Sequence, residues 1–128
     1  MQADTIYKEL LLEEAKNPQN YGQLSESSVS VSEGVVGCGD VTTIYLNVEK
    51  DRVVRMTWVA EGCVISKASL SLLSEAVVGK TVAELRTWTL SEILSLLQLD
   101  SISPGKEQCA LLGLRALQRA LKQINALE

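Results

Sequence analysis

Four side chains in this sequence carry donors suited to a soft cation: the thiols of Cys38, Cys63 and Cys109 and the carboxylate of Asp40. The first thiol stands in the stretch EGVVGCGDVTT, residues 33–43, with Gly37 and Gly39 on either side and Asp40 two places on. Glycine adopts backbone angles that other residues avoid and lets another group approach the main chain closely. A cysteine buried only for packing does not call for glycine neighbours, although each of the three, taken singly, also reads as a small core hydrophobe. The chain has no histidine. That removes Ser–His and Cys–His catalytic pairs and every histidine-containing metal motif. Any metal must then be held by sulfur and oxygen, and three thiolates with one carboxylate make a four-ligand S₃O set that suits tetrahedral Zn²⁺ or iron. The cysteines are odd in number, dispersed and without a C-x-x-C pair, which is neither a disulfide framework nor a regular zinc spacing.

Periodicity indicates the elements that must position these residues. Asp4 reads as the cap of a first helix over about residues 5–16, with Ile6, Leu10 and Leu11 as its apolar stripe and Pro18 in NPQNYG preventing continuation. SVSVS alternates strictly, VTTIYLNVE places Ile44, Leu46 and Val48 on one face, and VVRMTWVA after the turn KDR places Val54, Met56, Trp58 and Ala60 on one face. Three such stretches with short connections predict an antiparallel meander buried on one side. From Gly62 the period becomes helical, with Ile65, Ala68, Leu72, Ala76 and Val77 in step and Gly79 placed to end the helix. TVAEL and TLSEIL each contain the Thr-x-x-Glu capping signature, so two short helices follow. SISPGKEQ reads as a turn, and a last helix runs from about Cys109 to Ala126, with Leu112, Arg115 and Gln118 set against Leu111, Leu114, Leu117 and Leu121. The expected fold is α+β: a three-stranded antiparallel sheet with helices packed on one face. All three cysteines fall at junctions, where functional residues concentrate. Cys63 and Cys109 are expected to begin helices, whose partial positive charge favours thiolate over thiol, and Lys106 stands three residues before Cys109.

The 128 residues, 46% apolar and 22% charged, suffice for one domain, 1–128, with a real core. A net charge of −4 and a pI near 4.9 argue against nucleic acid and against an anionic membrane surface as partners. Segment 63–78 is the most apolar helical stretch, but Ser66, Lys67, Ser69, Ser71, Ser74 and Glu75 interrupt it, so it is not a membrane span. The opening MQADTIYKELLLEEAKNPQN carries early acidic residues and no small-residue cleavage site, so a cytoplasmic protein is expected.

Four stretches then stand out together: NPQNYG, GCGDV at 37–41, EGCVISKAS at 61–69 and KEQCALLGLRAL at 106–117. In these, and over almost its whole length, the chain resembles the U-type iron–sulfur cluster assembly scaffolds, the family of IscU, SufU and the amino-terminal domain of NifU. The resemblance implies a scaffold, not an enzyme in the usual sense. On it, sulfur from a cysteine desulfurase and iron are combined into a transient [2Fe–2S] cluster, which is then passed to acceptor apoproteins. It implies that Cys38, Cys63 and Cys109 accept sulfur, that these three with Asp40 bind the metal, and that Gly37, Gly39 and Lys106 support the site. Gly37 and Gly39 would leave Cys38 accessible to a persulfide donor, and zinc is the alternative occupant of the same ligands. Two departures separate the chain from parts of the family. IscU-type members have histidine where Gln108 stands; SufU-type members lack it but usually carry an insertion between the second and third cysteines, and none is apparent here. The Leu-Pro-Pro-Val-Lys segment that IscU-type members offer to a dedicated Hsc-type chaperone reads SISPGK, which puts that partner in doubt. Two other readings stay open: a zinc-containing persulfide acceptor of SufU type, with sulfurtransferase activity, and a small binding module with a structural zinc.

Overall fold

Alternation in three consecutive stretches builds the sheet. In the computed structural model, which describes residues 2–35, 37 and 39–127, β1 (Val29–Gly34), β2 (Val41–Glu49) and β3 (Arg52–Glu61) form an antiparallel sheet in the order β1-β2-β3. Helix α1 (Gln2–Lys16) precedes it, and α2 (Val64–Ala76), α3 (Val82–Arg86), α4 (Leu90–Leu97) and α5 (Pro104–Leu127) follow. The α+β architecture expected from the sequence is the one observed. Val31, Ile44, Leu46, Val53, Met56 and Trp58 point inward and are buried beneath α2 and α5. Burying one such side chain stabilises the fold by about 1.5–3 kcal/mol.

The hairpin between β2 and β3 turns at Lys50 and Asp51, with φ of 51° and 63°. Two consecutive left-handed residues are what a two-residue type I′ turn requires. Close to this turn the pairing slips: Asn47 faces Arg55, whereas Val48 faces Val53. The extra residue on β3 is Val54. A bulge of this kind reverses the alternation, so Val53 is buried and Val54 is exposed, opposite to the sequence expectation for Val54.

Local chain covers the outer edge of β3. Trp58 donates its backbone N–H to the Asn20 carbonyl at 3.2 Å, and its own carbonyl accepts from Gly22 N–H at 2.8 Å. Its indole Nε1–H reaches the Gln19 carbonyl at 3.0 Å. At the other end of β3, the Val53 N–H donates to the Lys80 carbonyl at 3.0 Å, and the Val53 carbonyl accepts from Gly79 N–H at 2.8 Å. NPQNYG therefore protects a strand edge and anchors the central tryptophan.

Helix α2 is the hub. It packs on α1, α4, α5 and β3, and Leu70 and Leu73 are fully buried, while Ile65 and Leu72 of the expected stripe are half-buried. Its serines are also inside, each with a partner: Ser69 Oγ donates to the Ala110 carbonyl at 2.8 Å, Ser71 to Glu14 Oε2 at 2.5 Å, and Ser74 to the Ser71 carbonyl at 2.7 Å. A helix packed on several sides has no single apolar stripe, so the periodicity placed Ala68 and Val77 in the core, where they are, but missed Leu70 and Leu73. Helix α1 packs on α2, with Leu11 buried and Leu10 of the expected stripe exposed. Helix α1 begins at Gln2, so Asp4 lies inside it. Thr81 and Thr89 cap α3 and α4 as expected, Thr89 with the reciprocal Glu92 contact of a full capping box. Helix α5 starts at Pro104 within the expected turn SISPGKEQ; proline suits a first helical position, where its missing N–H is not needed. Leu112, expected on the polar face of α5, is fully buried. Among the described residues, no helix is long and apolar enough to cross a membrane.

Candidate metal centre

Sheet register brings the first two parts of the site together. Val41 at the start of β2 pairs with Glu61 at the end of β3, so Asp40 and Gly62, the next residues outward, lie side by side. A Cβ on Gly62 would meet the Asp40 Cγ and Oδ2 at 3.0 Å, so this position must lack a side chain for the carboxylate to sit where it does. Cys63 then caps α2, with φ −80° and ψ 173°, as the strand-to-helix transition implied. Helix α5 crosses α2 close enough that a Cβ on Gly113 would fall 2.8 Å from Leu70 Cδ2. That close approach carries Cys109 to the same corner.

The result is a cluster of Asp40, Cys63 and Cys109 whose ligand atoms all lie within 4.8 Å of one another. Two sulfurs bound to one tetrahedral zinc, at about 2.3 Å each, sit about 3.8 Å apart, so only a small inward shift separates this arrangement from a coordinating one. Asp40 and Cys109 are buried, and Cys63 is half-buried. Cys38, the fourth expected ligand, lies outside the described residues. Around it, the Val35 N–H donates to the Asp40 carbonyl at 2.8 Å and closes the β1–β2 connection. Gly37 and Gly39 take φ of 88° and 76° with open space where a Cβ would be. Their requirement is conformational, not steric.

A residue the sequence reading overlooked holds the cluster together. Ser66, one turn into α2 and fully buried, donates its hydroxyl to Asp40 Oδ2 at 2.6 Å. Its Oγ also lies 3.6 Å from Cys63 Sγ and 3.4 Å from the Cys109 carbonyl. The Cys63 N–H approaches the same carboxylate oxygen at 3.4 Å. The only sequence signal was a serine three places after a cysteine at a helix start, which sets both on one helix face.

These contacts set the protonation of the site. Burial alone would raise the Asp40 carboxyl, but donation from Ser66, from the Cys63 N–H and from the two thiols outweighs it, so the group sits below its ordinary value. Cys109 shifts the other way: burial, then its contacts with Asp40 and Cys63 and repulsion from both, push its thiol up to about 12. For Cys109 this corrects the expectation of a thiolate stabilised at a helix start. Because α5 begins at Pro104, Cys109 lies in its second turn, and the terminal partial charge falls off within the first. Lys106 is exposed in that first turn and makes no hydrogen bond or ion pair to the cluster among the described residues. The side-chain oxygen of Gln108 accepts from Arg115 Nη2, so it is engaged within α5.

A three-stranded antiparallel sheet packed by helices, with two thiols and a carboxylate gathered at the strand–helix corner, defines a protein that can hold a thiophilic metal close to its surface. The chain belongs to the family of NifU-like N terminal domains, whose model matches residues 6–127, and thereby to the IscU and SufU iron–sulfur cluster assembly scaffolds. It is 28% identical to the iron–sulfur cluster assembly scaffold protein IscU of Thermotoga maritima, over 94% of this chain and 95% of that one. It is 29% identical to the zinc-dependent sulfurtransferase SufU of Bacillus subtilis, over 92% of this chain and 90% of that one. The fold matches the amino-terminal NifU-like protein of Brucella abortus along the full length of both chains, with a TM-score of 0.81 at 23% identity.

Proposed function

We propose that residues 1–128 form one cytoplasmic scaffold domain that receives sulfur from a cysteine desulfurase, binds iron, and passes a [2Fe–2S] cluster to acceptor apoproteins. The observation that carries this reading is the convergence of Asp40, Cys63 and Cys109, from three separate parts of the chain, within 4.8 Å. Cys38 completes the set as the third sulfur, in a connection closed directly beside Asp40. Sulfur transfer needs a thiolate that attacks the outer sulfur of the donor's persulfide. The new S–S bond forms on the scaffold cysteine as the donor's S–S bond breaks, and the donor leaves as thiolate. Cys63, half-buried at the helix cap, is the more accessible of the two described thiols. Asp40, held by Ser66, is the harder and weaker donor among sulfurs and the ligand suited to let cargo go. Gly37, Gly39 and Lys106 support the site without coordinating.

A second reading, a zinc-containing persulfide acceptor, draws on Gln108 and its bond to Arg115, which leaves the site with sulfur and oxygen donors only, and on the similarity to the SufU sulfurtransferase. Anaerobic purification, metal analysis and visible spectroscopy, with and without a desulfurase, iron and cysteine, separate the two. A reconstituted chromophore lost in Cys38→Ser, Cys63→Ser and Cys109→Ser supports the scaffold. Tight zinc with persulfide transfer and no chromophore supports the relay. A chain that binds neither metal overturns both.

A further inference from the structure

A groove beside α5, with a volume of about 840 Å³, is lined by Glu33, Arg86, Arg115, Gln118, Arg119 and Lys122. Four cations face one carboxylate there, a net charge of +3 in a chain whose total is −4. The walls are held in place. Gln118 Nε2 donates to the carbonyls of Leu85 and Trp88 at 3.2 and 2.9 Å, fixing α5 to the end of α3. Arg119 donates to the Ser32 carbonyl at 3.0 Å and to Glu33 at 2.8 Å, so the one acidic wall residue is already engaged. Arg86 and Lys122 have no ion-pair partner among the described residues.

One end of the groove, at Arg115, lies about 9 Å along α5 from Cys109. Arg115, Arg119 and Lys122 share a face of α5, and Arg115 bonds Gln108, the residue next to Cys109. Gln108 to Lys122 spans about 21 Å of helix, the length of about six extended residues.

We infer that this groove docks an acidic segment of the protein that exchanges cargo at the metal centre. Complementary charge steers such a partner and sets its register, and a segment lying along α5 ends beside Cys109. A nucleic-acid backbone is the poorer occupant, because only three net positive charges are available and the rest of the chain repels it. The inference rests on the scaffold reading, since only an exchanging partner needs to lie beside Cys109.

The test uses the full chain and a fluorescein-labelled oligoglutamate of about eight residues, followed by anisotropy at low and raised ionic strength. Binding is expected at low salt, weakened by salt, and weakened about tenfold or more in Arg86→Glu/Lys122→Glu. Absent binding at low salt overturns the inference, as does equal binding by the variant. Tighter binding of single-stranded DNA or of tripolyphosphate reassigns the groove to phosphates and overturns it as well. Zinc stoichiometry of the unmodified chain is measured in parallel: a chain that takes up zinc but not the peptide fails here alone, whereas one that takes the peptide but no metal fails the scaffold reading and the role given to the partner with it.

Discussion

Ser66 is where the site is most sensitive to a single atom. Its hydroxyl is buried and donates to Asp40 at 2.6 Å, so Ser66→Ala leaves a buried carboxylate short of its best donor. Loss of that partner costs about 1–3 kcal/mol, measurable as a lower denaturant midpoint of the apoprotein. In the proposed site it also frees Asp40 to rotate. Zinc release to a chromogenic chelator should therefore change rate in Ser66→Ala while stoichiometry holds. A changed midpoint with an unchanged release rate would make Ser66 a structural serine only.

At the scale of elements, the site depends on two approaches: the β2–β3 register that sets Asp40 beside Gly62, and the α2–α5 crossing that delivers Cys109. Gly113 is the contact point of the crossing, because a Cβ there would meet Leu70 at 2.8 Å and Leu73 at 3.3 Å. Gly113→Val forces the helices apart and should destabilise the protein by about 1–3 kcal/mol, the usual range for overpacking. It should also weaken metal binding, although residue 113 is a full turn from Cys109 and offers no ligand. Metal titration under conditions where circular dichroism shows the variant folded checks this. Unchanged affinity would show that Cys109 reaches the site without help from the crossing.

For the whole molecule, the two shifted groups of the metal centre give the apoprotein opposite dependences at the two ends of the pH scale. Cys109 keeps its proton to about 12 when folded, whereas an unfolded thiol loses it near about 8.5. Between these values the folded state binds more protons than the unfolded one, so stability falls as pH rises. Asp40 is depressed, so its contribution is present above the ordinary carboxylate range and is lost as pH falls through its lower folded value. Denaturation of metal-free protein under reducing conditions should show a midpoint that declines above about pH 8.5, and Cys109→Ala should flatten that decline. A decline of the same slope in Cys109→Ala would place the alkaline sensitivity elsewhere.

Short-range signals were enough for much of this. Alternation located all three strands, Thr81 and Thr89 announced their helices, and Cys63 was legible as a strand-to-helix cap, because each signal is written within a few residues of the feature it specifies. The donor types were legible too, since without histidine only sulfur and oxygen remain. What the sequence could not show depends on partners distant in the chain. Which valine of β3 points inward was decided by a bulge that exists only against β2. The burial of four serines in α2 followed from helices packed around it. Burial beside Asp40 and Cys63 made the Cys109 thiol hard to ionise. Ser66, Gly62 and the α5 groove acquire meaning only once register and helix crossing bring residues from separate elements within contact distance. Chemistry was therefore set by composition and local pattern, and its placement by packing, because the distances that make a site are determined between elements.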